Sequence, residues 1–280
     1  MACTRRQLGL ALLAVSCSRR GCGPDERLAE LDGAGIEAIT VHEGVVVAVG
    51  GGARGRMWTV DVQGKVIERL DQLVHPRDVI VVHDRWVVAT DGGVVAMPRT
   101  GAEREPWSER PAWRLAAGAA VCWIERETSA IWRWGGEAPV RLTEDADAYA
   151  QDLCVSGSRV VWTANDALWE VKVTGGAPRR IAEIPGAGDV AALDHRLFAV
   201  ATPDGLVRQP DGGRIIEAEA PASLSSAGGW LAFGAAEGVV AVGTAGALRV
   251  PTTAKAVATD GRAIWWVDRA DVLWRRRLSS

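Results

Sequence analysis

The stretch Val155–Ala182, VSGSRVVWTANDALWEVKVTGGAPRRIA, decides the fold of this chain. Three turn signals, Gly157-Ser158, Asn165-Asp166 and Gly175-Gly176, separate short runs of apolar and β-branched residues. Short runs of this kind, bounded by Gly, Asn and Asp, are typical of strands joined by hairpins. The stretch lacks the apolar spacing of an amphipathic helix. We therefore expect a four-stranded antiparallel meander.

The same unit recurs from about residue 36 to the C-terminus. The first hairpin turn of each copy serves as an anchor, and successive anchors are 33 to 40 residues apart. The anchors are Gly44, Asp84, Gly118, Gly157, Asp194, Gly228 and Gly261. A repeat of this length built from strands alone predicts a β-propeller, because each meander must bury its faces against its neighbours. The predicted fold is all-β: a single β-propeller of seven four-stranded blades, with six and eight blades as alternatives.

The two ends of the chain complement each other. The last copy ends with a third strand, within Val272–Leu278, and lacks a fourth. Near the start, Glu26–Leu31 (ERLAEL) shares the pattern E-R-L-x-x-L with Glu68–Leu73 (ERLDQL), the fourth strand of the first copy. We therefore expect the N-terminal strand to complete the last blade, which closes the ring and removes an open sheet edge. Residues 25–280 then form one propeller domain.

Residues 1–24 differ in kind from the repeats. Arg5-Arg6 precedes the apolar run Leu8–Val15, which is too short to span a bilayer and fits a signal peptide. Ala14–Cys17 resembles a bacterial lipobox, in which the cysteine is lipidated and becomes the new N-terminus. We therefore expect an exported lipoprotein, periplasmic or anchored to the outer membrane through lipid on Cys17 alone. A cytoplasmic chain is the alternative.

Composition narrows the classes of partner and chemistry. The 280 residues carry a net charge of -3, which argues against non-specific binding to nucleic acid. The five cysteines show no metal-ligand spacing. Cys122 and Cys154 fall in strands of adjacent blades, where we expect buried thiols, with a disulfide as the alternative. Nucleotide-binding, nucleophile-elbow and zinc-protease motifs are absent from the sequence.

One repeat carries a family resemblance. Val161-Trp162-Thr163-Ala164, followed by Leu168-Trp169 and Gly175-Gly176, resembles the YWTD-type propeller repeat, and in particular that of bacterial extracellular propeller proteins. The Asp of that motif is Ala164 in the fourth copy and Asp268 in the last. The resemblance implies a binding or scaffold role, since the motif itself is structural.

In a propeller, two sets of loops converge on one face around the axis: second to third strand, and outer strand to the next inner strand. Function is usually found there. The candidate residues in these loops are His75, Arg77, Asp78, Glu125, Glu144, Asp145, Asp147, Tyr149, Asp152, Asp166, Asp189 and Asp268. His75 is the one histidine expected on this face, since His42, His83 and His195 fall at hairpin turns of the opposite face.

The acidic segment Thr143–Asp152 (TEDADAYAQD) is the most unusual of these loops. Clustered carboxylates could bind calcium or another divalent ion, but the EF-hand pattern is absent and a solvated loop is the alternative. We expect no resident cofactor. Tyr149 is expected to pack locally, with capping of the central channel as the alternative.

The leading functional hypothesis is an exported, monomeric, non-enzymatic binding or scaffold protein. It would engage a protein or glycan partner through the converging-loop face. The alternative is a metal-assisted propeller hydrolase or lactonase, which needs carboxylates from different blades directed inward at one height. The candidates for that set are Glu125, Asp152, Asp189 and Asp268.

Overall fold

The computed structural model describes residues 23–31, 35–99, 103–144, 149–244 and 246–278. These residues form seven antiparallel sheets of four strands each, so the prediction of seven blades is confirmed. Apart from the strands, the regular structure in the described ranges is one 3-10 turn, Gly52–Arg54.

The strands of the N-terminal half are β1 (Glu26–Glu30), β2 (Ile36–His42), β3 (Val45–Gly50), β4 (Gly55–Val60), β5 (Val66–Leu73), β6 (Pro76–Val82), β7 (Arg85–Thr90), β8 (Gly93–Pro98), β9 (Glu105–Ser108), β10 (Ala112–Ala117), β11 (Val121–Glu125), β12 (Ile131–Trp134) and β13 (Pro139–Arg141). Those of the C-terminal half are β14 (Asp152–Ser156), β15 (Arg159–Ala164), β16 (Ala167–Lys172), β17 (Arg179–Glu183), β18 (Val190–Ala192), β19 (Phe198–Thr202), β20 (Gly205–Gln209), β21 (Arg214–Glu217), β22 (Ala222–Ala227), β23 (Trp230–Ala235), β24 (Gly238–Gly243), β25 (Gly246–Val250), β26 (Ala254–Thr259), β27 (Ala263–Asp268) and β28 (Val272–Arg277).

Consecutive groups of four strands form the blades. Blade 1 is β2–β5, and blades 2 to 6 follow in the same way up to β25, while blade 7 combines β26, β27 and β28 with β1. The first strand of each blade is the inner one. Neighbouring inner strands contact each other in succession, and β26 contacts β2, so the blades form a ring.

The alternation of strand direction gives the ring two distinct faces. We call the upper face the one that carries the loops from second to third strand and from outer strand to the next inner strand. The lower face carries the hairpin turns between first and second strands and between third and fourth strands. All candidate loops from the sequence therefore belong to the upper face.

Trp162 illustrates how neighbouring blades share a core. It lies on β15 of blade 4, is fully buried, and packs in a cluster that includes Ile124 and Ile131 of blade 3. The meander that surrounds it is shaped by its turns: Asn165 and Asp166 both adopt positive φ, 50° and 57°, as a two-residue type I′ hairpin requires.

The two cysteines in these strands are free thiols, so the disulfide alternative is wrong. Cys122 is fully buried and Cys154 is half-buried. Burial raises the pKa of the Cys122 thiol to about 12, which keeps it protonated and unreactive.

The ring closes by pairing of the chain ends, as the sequence predicted. Strand β1 pairs antiparallel with β28, and Glu26 lies opposite Arg275. The Nε atom of Arg275 donates to Oε2 of Glu26 at 3.1 Å, and the guanidinium lies over the ring of Trp265. Leu31, just beyond β1, is fully buried, and its N–H donates to the carbonyl of Asp271 at 2.9 Å.

We expect Glu26→Ala to lower the free energy of unfolding by about 1–3 kcal/mol, because Arg275 is almost fully buried and loses its carboxylate partner. Urea unfolding followed by tryptophan fluorescence measures this change. The hydrogen bond from Arg275 holds the pKa of Glu26 below its ordinary value. The stabilisation is therefore present above the ordinary pKa of a glutamate and is lost as the pH falls through the lowered one.

The matched control is Glu30→Ala on the same strand. Glu30 pairs with Arg27, and both side chains are more than half exposed, so its loss should change stability by no more than about 0.5 kcal/mol. Equal effects of the two substitutions would contradict a special role for the Glu26–Arg275 pair.

Candidate functional site

The upper end of the central channel is where the structure gathers charged candidate residues. The seven inner strands enclose a channel of about 750 Å³. A polar residue near the start of each inner strand lines it. These residues are Glu37, Asp78, Arg114, Asp152, Asp189, Ser223 and Lys255. Five of the inner strands have irregular register at this point, which is how β-bulges redirect side chains.

Two of the predicted carboxylates join neighbouring blades. Oδ2 of Asp78 in blade 2 accepts the N–H of Leu115 in blade 3 at 2.8 Å. Oδ2 of Asp152 in blade 4 accepts the N–H of Val190 in blade 5 at 2.8 Å. Each carboxyl oxygen thus satisfies a backbone donor on the next inner strand.

The same device continues around the ring. Oδ2 of Asp189 in blade 5 accepts the N–H of Ser223 in blade 6 at 2.5 Å. The hydroxyl oxygen of Ser223 accepts the N–H of Val257 in blade 7 at 2.9 Å. Between blades 7 and 1, the carboxylate of Asp271 accepts the N–H groups of Gly35 and Ile36, both at 3.2 Å.

Ion pairs complete the circle where no such hydrogen bond occurs. Glu37 of blade 1 lies 3.9 Å from Arg77 of blade 2. Nε of Arg114 in blade 3 lies 3.7 Å from Oδ1 of Asp152 in blade 4. Every boundary between blades therefore has a polar contact near the upper face, made by residues that the structure describes.

Among these channel residues, Asp152 has a strongly shifted pKa. Burial and the charge of nearby Asp189 raise its pKa well above the ordinary value of an aspartate, while Arg114 acts in the opposite direction. Its side chain is 15% exposed, and that surface opens into the narrow channel. Burial also raises the pKa of Asp78. A carboxyl with a raised pKa at the wall of a channel can hold or exchange a proton closer to neutral pH than an ordinary aspartate does.

Glu125 and Asp268 do not join this group, so the expected convergence of four carboxylates is wrong. Both lie at the ends of second strands, opposite the first residue of an inner strand, and neither lines the channel. Glu125 accepts hydrogen bonds from Arg110 at 2.9 Å and Trp132 at 3.1 Å. Asp268 accepts from the indole N–H of Trp274 at 2.8 Å and from backbone N–H groups of its own turn. They stabilise loops within their own blades.

His75 and Arg77 lie on the upper face but form no pair with Asp78. Arg77 binds Asp91 through two hydrogen bonds, Nε to Oδ1 at 3.1 Å and Nη2 to Oδ2 at 3.0 Å. The half-buried His75 has positive φ, 44°, and its N–H donates to the carbonyl of Gly52 at 3.1 Å. The histidine thus shapes the loop between blades 1 and 2.

The acidic loop is described only in part. Asp145 and Asp147 lie outside the described residues, and Glu144 is exposed. Tyr149 is 73% exposed, so the local packing that the sequence suggested is wrong. Within the described ranges, no group of three His, Cys, Asp or Glu side chains could hold a metal ion. Calcium binding by this loop stays a prediction.

The remaining expectations concern Asp166, Cys17 and the membrane. Asp166 lies in the exposed type I′ turn, where Oδ1 accepts the N–H of Gly186 at 2.8 Å. Cys17 lies outside the described residues. In the part of the chain that is described, no helix has the length and apolar character needed to cross a membrane.

Sequence reasoning missed four channel residues, Glu37, Arg114, Ser223 and Lys255. The signal was available, since each occupies the start of an inner strand, as Asp78, Asp152 and Asp189 do. Alignment of the copies at this position, rather than at the first hairpin turn, places all seven in one column. Lys255 is held there by Asp271, at 2.7 Å.

Comparison with known proteins identifies the fold but no family. No protein-family model matches the chain, and no curated protein matches it in sequence. A catalytically inactive virginiamycin B lyase from Staphylococcus aureus, solved with quinupristin, has a TM-score of 0.74 at 14% identity, covering 91% of this chain and 99% of that one. The WD40 propeller domain of Doa1 has a TM-score of 0.71 at 12% identity, covering 90% of this chain and 96% of that one.

A third similar structure belongs to a Saccharomyces cerevisiae assembly of Dbp5 bound to Nup159 and Gle1. Its TM-score is 0.64 at 10% identity, and the match covers 93% of this chain and 95% of that one. At such identities these likenesses show the β-propeller fold alone. The fold is compatible with binding, scaffolding and catalysis.

The raised pKa of Asp152 predicts a pH-dependent effect of Asp152→Asn. A carboxyl whose pKa is higher in the folded than in the unfolded state destabilises the fold as the pH rises between those two values, because the unfolded state then binds fewer protons. The variant should therefore gain stability relative to the parent as the pH rises from about 4. Urea unfolding of both proteins at acidic and mildly alkaline pH measures this, and a difference independent of pH would contradict it.

Proposed function

We propose that this chain is a non-enzymatic binding protein that engages a protein partner through its upper face. The observation that carries the proposal is the unbroken circle of polar contacts at the channel mouth. The carboxyl groups of three aspartates accept hydrogen bonds from the backbone of the next blade and so hold neighbouring blades together: Asp78, Asp152 and Asp189. A face fixed in this way loses little conformational entropy on binding, which favours affinity.

Exposed apolar side chains on the same face supply contact surface. Tyr149 is 73% exposed in the loop between blades 3 and 4, and Val74 is 51% exposed in the loop between blades 1 and 2. Tyrosine combines a large apolar ring with a polar end and is enriched at the centres of protein interfaces. The Val74 carbonyl accepts the N–H of Asp91 at 2.9 Å, which anchors this loop to the next blade.

The similar structures add support at the level of the fold. One of them belongs to an assembly of several proteins, which is the use of a propeller proposed here. A glycan partner fits the same face, because exposed aromatic and charged side chains also recognise sugars. A protein is favoured, since the exposed side chains lie in separate interblade loops and span a broad surface.

The proposal includes export and attachment to a membrane by lipid on Cys17. Strand β1 begins at Glu26, opposite Arg275 near the end of β28, and therefore starts at the lower face. The chain enters β1 from that side, where Asp25 pairs with Arg276. A lipid-anchored propeller of this design would direct its upper face away from the membrane and toward a partner in the periplasm.

A second candidate function is enzymatic, and one observation favours it. Asp152, with its raised pKa, lines the channel with Arg114 and Asp189, and perturbed carboxyl groups in such a cavity are typical of catalytic sites. A hydrolase or lactonase is the class proposed from the sequence. Loss of turnover in Asp152→Asn, with a divalent ion retained by the purified protein, would favour this function over binding alone.

We expect the double variant Val74→Ser, Tyr149→Ala to lose bound partner by roughly tenfold or more, because central apolar contacts dominate interface energies. Affinity capture of the tagged full chain from the cells that produce it, with quantitative mass spectrometry, measures retention of each partner. The matched control is Leu193→Ser, which changes an apolar residue of the lower face that is 38% exposed.

Comparison of the upper-face variant with the lower-face control shows which face binds the partner. A partner lost from the upper-face variant and retained by the control supports the proposal. A partner lost equally from both, or only from the control, would overturn it. Mass spectrometry of the mature N-terminus tests the anchor independently, since an acylated Cys17 supports it and an unmodified Met1 excludes it.

A further inference from the structure

A second cleft lies on the lower face, between blades 4 and 5. It encloses about 670 Å³ and is formed by the first hairpin turns of both blades together with the start of β17. The side chains that decide its character are Arg159, Glu170, Arg179, Arg180, Arg196 and Phe198. None of them belongs to the channel or to the upper face.

The cleft has a large excess of positive charge. Four guanidinium groups line it, and Glu170 is the one carboxylate among the lining residues. Glu170 is 10% exposed and is already occupied, since Arg159 donates to its Oε2 at 2.7 Å and Nε of Arg179 to its Oε1 at 3.0 Å. Burial opposes ionisation of Glu170, yet the hydrogen bonds from Arg179 and Arg159 hold its pKa below the ordinary value.

Two of the arginines remain available to a ligand. Among the described residues, the salt bridge of Arg180 is to Glu183, and both side chains are exposed, so water and salt weaken this contact. The nearest carboxylate in sequence to Arg196 is Asp194, whose Oδ1 accepts the N–H groups of Arg196 and Leu197 at 2.6 and 2.8 Å. Asp194 thus binds the backbone of its own turn. The described residues supply no salt bridge to the Arg196 guanidinium.

The rim of the cleft is charged, whereas part of its wall is apolar. The buried ring of Phe198 lies beneath Arg159, whose guanidinium carbon is 5.8 Å from the ring centroid. Ile181 lies half-buried beside it. Guanidinium groups present planar pairs of N–H donors that match the oxygens of a phosphate group. Phe198 is fully buried and supports Arg159, so the apolar surface open to a ligand comes from Ile181, and the arrangement suits an anion attached to an apolar body.

We infer that the cleft between blades 4 and 5 is a binding site for a phosphate-bearing ligand, held by Arg180 and Arg196 and backed by Arg159 and Arg179. The phosphate can come from a soluble phosphate monoester or from the headgroup of a membrane lipid. The inference is independent of the partner proposed for the upper face, because the two sites lie on opposite faces and share no residue.

The first experiment titrates the full chain with inorganic phosphate and with phenyl phosphate at low ionic strength, followed by calorimetry. We expect saturable binding, tighter for phenyl phosphate, that weakens as salt is added. Arg196→Gln and Arg180→Gln should each weaken it about tenfold, because each removes a charge-assisted hydrogen bond. Glu170→Gln should tighten it, a direction that loss of structure cannot produce.

The matched control is Arg262→Gln. Arg262 occupies the corresponding first hairpin turn of blade 7, where Oδ1 of Asp260 accepts its N–H as Asp194 does in blade 5. This substitution removes the same charge from the same face, at the same kind of turn, outside the cleft. It should leave binding unchanged, and equal weakening by Arg262→Gln and Arg196→Gln would overturn the inference.

The second experiment distinguishes the sources of phosphate by co-sedimentation with vesicles. Binding to vesicles of phosphatidylglycerol and phosphatidylcholine, but not of phosphatidylcholine alone, with loss in Arg196→Gln, identifies a lipid headgroup. Binding of phenyl phosphate without vesicle binding identifies a soluble ligand. Failure of the folded parent protein to bind either probe would overturn the inference.

Discussion

The pairing of β1 with β28 is the constraint on which the rest of the structure depends. Each blade buries its faces only against its two neighbours, so an open ring would expose the cores of blades 1 and 7 to water. The bond between Glu26 and Arg275 joins residues 249 positions apart in sequence. With the ring closed, the inner strands stand at fixed positions around the axis, and the channel and both faces are defined.

The closed ring explains why acidic residues at the channel mouth are better understood as blade contacts than as an isolated acidic site. On an inner strand, a backbone N–H of one blade faces the polar side chain at the start of the inner strand of the blade before it. An aspartate or serine at that position satisfies the donor, as Asp189 does for Ser223 and Ser223 for Val257. The chemistry of Asp152, with its raised pKa, is a consequence of packing several such groups around one narrow channel.

Much of the fold could be predicted from the sequence because a propeller is built from short strands and tight turns, which leave local sequence patterns. Turn residues such as Asn165-Asp166 and the repeat length predicted seven blades, with six and eight as alternatives, and the shared E-R-L-x-x-L segments predicted the closure. The candidate site was harder. Asp152 and Asp189 were found because they are acidic and lie in the correct loops, but Glu125 and Asp268 have the same character and belong to different strands. The distance of a loop residue from the channel axis depends on whether the residue adjoins an inner strand or a second strand. The repeat period alone does not reveal this distance.

Closure by the two ends of the chain also sets an order of events during synthesis. While the ribosome makes the first six blades, Glu26–Glu30 has no strand to join, because Val272–Arg277 has not yet emerged. Contacts of such long sequence separation form late and slowly. The assembled ring is therefore a post-translational product, and an incomplete nascent chain cannot reach the closed state.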